Sequence, residues 1–358
     1  MGRRLPDCLP ILRRRLARGD YRPTYAEREL IGAVDLCDAR GRLNPAAVGW
    51  SRTPLVRANL SGHWLRKKRW NFWNWIAPDF VLSVTLADID YAAFCAVAFT
   101  DFDTQQTLST TVLKPPGAFA MPADVERTVS FSSRTIEYAN VNDGGDITVT
   151  LRATANGQAI RASFVVVKPP GHETLNIVVP WTPTRFQLNS KHNTLPCTGA
   201  VSVGGKRYVM HPNVCHGVQD FGRGVWPYRS FWNWAVCTGV QEGVAVGVNM
   251  GGKWTTGTGV NENGICVDGR LYKVMEDLLW SYDPSDWMRP WHVRAPHSGM
   301  IDLTFEPMLV RSARLNLGVL RSGGVCCFGR WNGLIRFADE QLQIRSLIGW
   351  AEEFDHRW

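Results

Sequence analysis

Asp220-Phe221-Gly222-Arg223-Gly224 packs a carboxylate, a guanidinium and two glycines into five residues, just ahead of the tryptophan-rich run Phe231-Trp232-Asn233-Trp234. Such a set could hold a polar group at a cavity mouth. Asp220 and Arg223 would face the ligand, glycine would let the backbone approach it closely, and Arg229, Trp232 and Trp234 would line the wall. An Asp–Arg pair locking a tight turn, with the tryptophans filling a core, fits the same residues. Acid–base chemistry needs two titratable groups with separated pKa values. Glu262 is the carboxylate best suited to pair with Asp220, although no spacing argument brings the two together. His216, four residues before Asp220, is the alternative proton donor. Asn249, which ends the apolar run from Val244, and Trp254 complete the ligand-binding candidates.

Several other chemistries lack their signatures. There is no Gly-x-Ser-x-Gly elbow, no phosphate-binding Gly-x-x-x-x-Gly-Lys loop and no dinucleotide-binding glycine pattern, so no cofactor is expected. The nine cysteines are scattered without a Cys-x-x-Cys pair, and His211 and His216 flank Pro212, so no metal site is expected either. The thiols read as reduced core residues. With neither a membrane-spanning apolar stretch nor the apolar core of a signal peptide, the expected location is the cytoplasm.

The elements that would position the candidates follow from a repeat. Phe-Trp-Asn-Trp occurs at Phe72 to Trp75 and again at Phe231 to Trp234, close to half the chain apart. A period that long marks two copies of a domain rather than a solenoid unit. The 33 Gly, 20 Pro and many short Val/Thr/Phe runs favour strands and turns. The sequence therefore predicts an all-β protein of two tandem antiparallel domains, each a barrel or a sandwich: a basic, partly helical arm over 1–50, a first β-domain over 51–175 and a second over 176–358. Lys168-Pro169-Pro170-Gly171, which cannot extend a ladder, marks the boundary. A short helix is expected around Tyr25 to Val34 and a long loop over Leu278 to Trp291. Strand alternation would turn Trp73 and Trp75 to one side and Phe72 and Asn74 to the other. An element kept in both halves is best explained by folding, so the site is expected in the second barrel or in the cleft between the two.

Charge is uneven. Residues 1–70 hold 16 of the 40 Lys and Arg but 6 of the 32 Asp and Glu, with clusters at Arg13-Arg14-Arg15 and Arg66-Lys67-Lys68-Arg69. A solvated arm accounts for this, and such an arm could also touch an anionic membrane surface. Nothing resembles a nucleic-acid-binding motif, so no nucleic-acid partner is expected. Trp-rich barrel walls point instead to a hydrophobic small molecule such as a lipid or isoprenoid, bound or also modified. Carbohydrate recognition on exposed tryptophans is a third reading.

A resemblance adds to this. Asp220 to Gly224, Trp226-Pro227-Tyr228-Arg229, Phe231 to Ala235, Gly41 to Pro45, Gly49-Trp50-Ser51-Arg52, Lys67 to Trp70, Gly247-Val248-Asn249, Pro290 to Val293 and Asp302 to Pro307 recur in the order of the bacterial domain-of-unknown-function family 2804, which the chain resembles over roughly residues 25–358. That family implies no activity. More distantly, the tandem arrangement resembles the paired lipocalin-like barrels of carotenoid hydratases. There an acidic-His-x-Trp-Gly motif enters the second barrel's tryptophan strand. Asp220 and Gly224 match its ends, Phe221 or Arg223 stands at the His position, and its Trp is absent. The resemblance implies hydratase or isomerase chemistry, with Asp220 and either His216 or Glu262 as acid and base.

Overall fold

The computed structural model describes residues 26–316 and 320–357. They form two curled, antiparallel half-barrel sheets, of 13 and nine strands, beside a two-stranded parallel ribbon of Val34–Asp35 and Val56–Arg57. The single helical element among them is the 3-10 turn Pro45–Ala47, capped by the Asn44 side chain, which accepts from the Ala46 amide. This all-β architecture is consistent with a tandem lipocalin-like arrangement.

Local sequence explains the ladders. Along Ile147–Ala155 every second residue is buried, so Ile147, Val149, Leu151 and Ala153 face the first barrel's interior. The next strand, Gln158–Val166, follows through Asn156-Gly157, both at positive φ (49° and 76°), the geometry of a two-residue hairpin turn.

The first sheet runs Gln106–Lys114, Ala93–Asp101, Phe80–Asp88, Lys67–Ile76, His216–Val225, Arg185–Val203, Gln158–Val166, Ile147–Ala155, Ile136–Val141, Val129–Ser132. In the second, Arg229–Gln241 lies between Val244–Gly252 and Glu340–Arg357. The Pro-Pro-Gly segment interrupts the ladder only locally. Arg185–Val203 and His216–Val225 re-enter the first sheet, so residue 175 does not fall between the sheets. The strand carrying Asp220 belongs with the first tryptophan tetrapeptide, not the second.

Both tetrapeptides lie on the opening strand of a meander, hydrogen-bonded to the next strand and to the last strand of their own sheet. Their side chains nevertheless point opposite ways. Trp73 and Trp75 fill the first barrel and stack at 5.6 Å, whereas Trp232 and Trp234 face the seam between the sheets, where Phe72 meets Trp234 edge-on at 5.9 Å. Asn233 turns into the second barrel and donates to the Tyr282 hydroxyl at 3.2 Å and the Glu352 carbonyl at 3.2 Å. A strand offset by one residue exchanges its faces. Identical sequence therefore serves different packing in the two halves.

Three further expectations are corrected or bounded. Residues 26–34 are extended rather than helical: the Leu30 amide donates to the Trp50 carbonyl and the Trp50 amide to the Arg28 carbonyl. A short isolated helix is marginal in water, and this pairing buries Leu30 instead. Tyr25 and the Arg13 cluster lie outside the described residues. The expected loop from Leu278 contains the edge strand Leu279–Ser281. The second basic cluster is largely neutralised, Lys67 by Asp90 at 3.2 Å and Arg69 by Asp88 at 3.0 Å. The eight described cysteines are free, and no described helix is long and apolar enough to cross a membrane.

Candidate functional site

The alternation of Arg185–Val203 sends Phe186 and Leu188 to one core and Gln187, Asn189 and Lys191 to the seam between the sheets. Lys191 pairs in register with Asp220 on His216–Val225. Its ammonium lies 2.9 Å from Asp220 Oδ2, 3.0 Å from Glu262 Oε2 and 3.9 Å from the centre of the Trp234 ring. Lys191, Asp220 and Glu262 are only 4%, 8% and 1% exposed. An ammonium from the first sheet thus joins a carboxylate from each side.

Amide and indole groups fix these charges. Asn189 Nδ2 donates to Asp220 Oδ1 at 3.1 Å, Gln187 Nε2 to Asn189 Oδ1 at 2.5 Å, and Trp226 Nε1 to Gln187 Oε1 at 2.6 Å. On the facing side Trp254 Nε1 donates to Glu262 Oε1 at 2.5 Å, Trp234 Nε1 to Asn249 Oδ1 at 2.8 Å, and Asn249 Nδ2 to the Glu262 carbonyl at 2.5 Å. Gly251 makes room: a Cβ there would stand 2.1 Å from Glu262 Cγ. Glu352, the register partner of Trp234, accepts from Trp232 Nε1 at 2.8 Å. The cluster therefore holds two carboxylates against one lysine, with a third, Glu352, within reach of their charges.

That stoichiometry sets the protonation. Burial works against the Lys191 charge, but Asp220 and Glu262 outweigh it and hold the ammonium above the ordinary lysine range. Burial pushes Glu262 up, opposed by Lys191 and reinforced by Asp220. Burial also lifts Glu352 to about 7, against the Trp232 hydrogen bond and Lys191, with Asp220 and Glu262 adding to the rise. Glu352 is thus poised between acid and base near neutrality, where proton transfer is most useful.

An aromatic belt flanks the charges. Trp226 meets Trp70, Trp181, Trp232 and Trp254 with ring centroids 4.9–6.0 Å apart. Trp226 and Trp254 are buried, whereas Trp70, Trp181 and Trp232 are half-buried and bring the belt to the surface. A groove of about 960 Å³ lies elsewhere on the first sheet, lined by residues including Ser130, Tyr138, Thr150 and Arg152, and does not border Asp220.

Of the residues singled out in the sequence, the structure brings together Asp220, Glu262, Trp232, Trp234, Asn249 and Trp254. It separates Arg223, His216 and Arg229 from them. Asp220 and Arg223 are three apart on a continuous strand, not a turn, and so face opposite sides. Arg223 donates to the carbonyls of Trp70 (2.6 Å), Gly222 (2.8 Å) and Pro122 (3.0 Å) and to Asn71 Oδ1 (2.7 Å), a bracket for the chain. Arg229 is exposed at the start of its strand. His216 shares the face of Asp220 but lies roughly 13 Å along the strand at about 3.3 Å per residue.

Burial depresses His216 to about 4, so it is neutral at neutral pH and cannot serve as the proton donor there. A base whose folded pKa is lowered contributes stability that is present above its unfolded value and is lost as pH falls toward the folded one. The stability difference between the native chain and His216→Phe should therefore shift by about 1.4 kcal/mol per pH unit between roughly 6.5 and 4. Urea unfolding at several pH values measures it, and pH-independent curves would show that His216 is charged or solvated.

Sequence reasoning missed Lys191, Glu352, Asn189 and Gln187. The polar Gln187, Asn189 and Lys191, alternating with Phe186, Leu188 and Ser190, were the available signal.

Three solved structures match the chain at low identity and low TM-score. Kievitone hydratase from Nectria haematococca is 9% identical, over 82% of this chain and 89% of that one, with a TM-score of 0.45. A provisionally assigned AttH from Nitrosomonas europaea is 11% identical, over 81% and 92%, at 0.42. CghA with Sch210972 is 11% identical, over 82% and 89%, at 0.35. No curated protein sequence matches. The family model described as domain of unknown function (DUF2804) matches residues 27–358, nearly the whole chain, and the chain belongs to that family.

Proposed function

We propose that the chain binds a hydrophobic small molecule, such as a lipid or isoprenoid, at the aromatic seam between its sheets and performs acid–base chemistry on it. The observation that carries this reading is the buried Asp220–Lys191–Glu262 set, with Glu352 held near neutral pKa on the Trp232 indole beside it. A purely structural seam needs no such set, because buried ion pairs can often be exchanged for apolar residues of similar volume without loss. Perturbed carboxylates at an apolar wall are the pattern of a working site.

Hydration or dehydration fits these groups. One carboxylate of the set, Asp220 or Glu262, would take a proton from water as the water oxygen bonds to one carbon of a double bond. The Glu352 carboxyl would give its proton to the other carbon. The product is an alcohol, and the two carboxyl groups have exchanged protonation states; dehydration is the reverse. Isomerisation uses the same pair without the water. Lys191 would stay charged throughout and steady the negative charge that develops.

Solvent extraction of the purified chain followed by mass spectrometry is the first test, with recovery of an apolar compound at about one per chain expected. Asp220→Asn should keep that compound and lose its turnover. Loss of the bound compound together with loss of fold would make Asp220 a purely structural residue, and a chain that retains no apolar compound would remove the ligand.

A further inference from the structure

The strands that carry Lys191 and Asp220 to the seam present a second polar layer to the first barrel's interior. Ser190 and His192 flank Lys191, and Gln219 precedes Asp220, so alternation turns all three the other way. The register aligns His192 with Gln219 and Gln219 with Trp73 across three neighbouring strands. Trp75, opposite Gly217, stacks on Trp73 at 5.6 Å. These five side chains are no more than 3% exposed. Among the described residues, Ser190 Oγ, both ring nitrogens of His192, Gln219 Oε1 and the indole N–H groups of Trp73 and Trp75 have no hydrogen-bond partner. Proteins rarely leave buried polar atoms unmet, and six in one row require an explanation.

We propose that this row is a binding site for a small, neutral hydroxylic guest that both donates and accepts hydrogen bonds. Trp73, Trp75, Ser190 and one His192 nitrogen supply donors, while Gln219 Oε1 and the other His192 nitrogen supply acceptors. The guest is neutral because the row offers it no charge: burial depresses His192 to about 3, helped by Lys168 and His172. It is small because the surroundings are close. A Cβ at Gly217 would already stand 3.2–3.3 Å from Val166, Trp73 and Trp75. Ordered water and the hydroxyl of a short alcohol satisfy the same chemistry. The site lies on the opposite face of its strands from the Lys191 cluster and does not depend on the chemistry proposed there.

A crystal structure of the full chain that resolves solvent tests this directly. Density within about 2.7–3.2 Å of at least two atoms of the row is expected, and a dry row overturns the proposal. Denaturing extraction and mass spectrometry separate the sources: an alcohol at one per chain identifies an organic guest, and none identifies water. Gln219→Met keeps the side-chain length but removes the acceptor, so it should lower the melting temperature by several degrees. An unchanged or higher value would mean that no guest was using Gln219.

Discussion

On the proposed acid–base reading, Glu352→Gln should slow turnover of a bound substrate by a factor of about 10²–10⁴, the usual worth of a positioned general acid, while changing its affinity little. The amide oxygen of the variant would still accept from Trp232 Nε1, which now donates to the carboxylate at 2.8 Å, so the indole stays where it is and the binding wall survives. Only the transferable proton is lost. The pH dependence gives an independent check. A general acid works in its protonated form, and burial lifts Glu352 to about 7, so the native rate should fall as pH rises through that value. The residual rate of the variant should be flat across the same interval. Equal rates in the two proteins, or a parallel pH dependence, would assign the proton transfer to another group.

Lys191→Met should produce the largest loss of stability. It leaves Asp220 and Glu262 facing one another in the seam without their shared cation. Removing one partner of a buried ion pair typically costs about 3–5 kcal/mol, or roughly 4–7 °C in melting temperature for a chain of this size. The defect is electrostatic, so it should shrink on acidification as the stranded carboxyls take up protons. Adding Asp220→Asn and Glu262→Gln to Lys191→Met should recover most of the loss. A single variant that melts within a degree of the native chain would mean that water already reaches these charges and that the seam is open.

The all-β architecture was legible because burial follows a period of two along strands such as Ile147–Ala155 and because glycine pairs and prolines punctuate them. Asp220 and Glu262 could be chosen from residue type and neighbourhood. Which face they occupy could not, since that depends on register. Arg223 illustrates the difficulty: the glycines at 222 and 224 suggested a turn, whereas the strand continues and odd spacing sends its guanidinium away from Asp220. Lys191 was hidden for a related reason. Its partners lie 29 residues away on the adjacent strand and 71 away in a loop of the second half, distances at which no local pattern carries information. The repeated tetrapeptide carries no information on facing, because identical letters point into the barrel in one half and to the seam in the other.

Lys191 and Asp220 come from one sheet, and Glu262 and Glu352 from the chain that builds the other. Neither half therefore owns the charged set. A cut in the Trp226 to Tyr228 connection would give two fragments, one ending in a stranded Lys–Asp pair and the other in two unmatched glutamates. Each would display a raw tryptophan surface until it met its complement. Recombination of the fragments is then an assembly reaction driven by the same few side chains that give the seam its charges and rings.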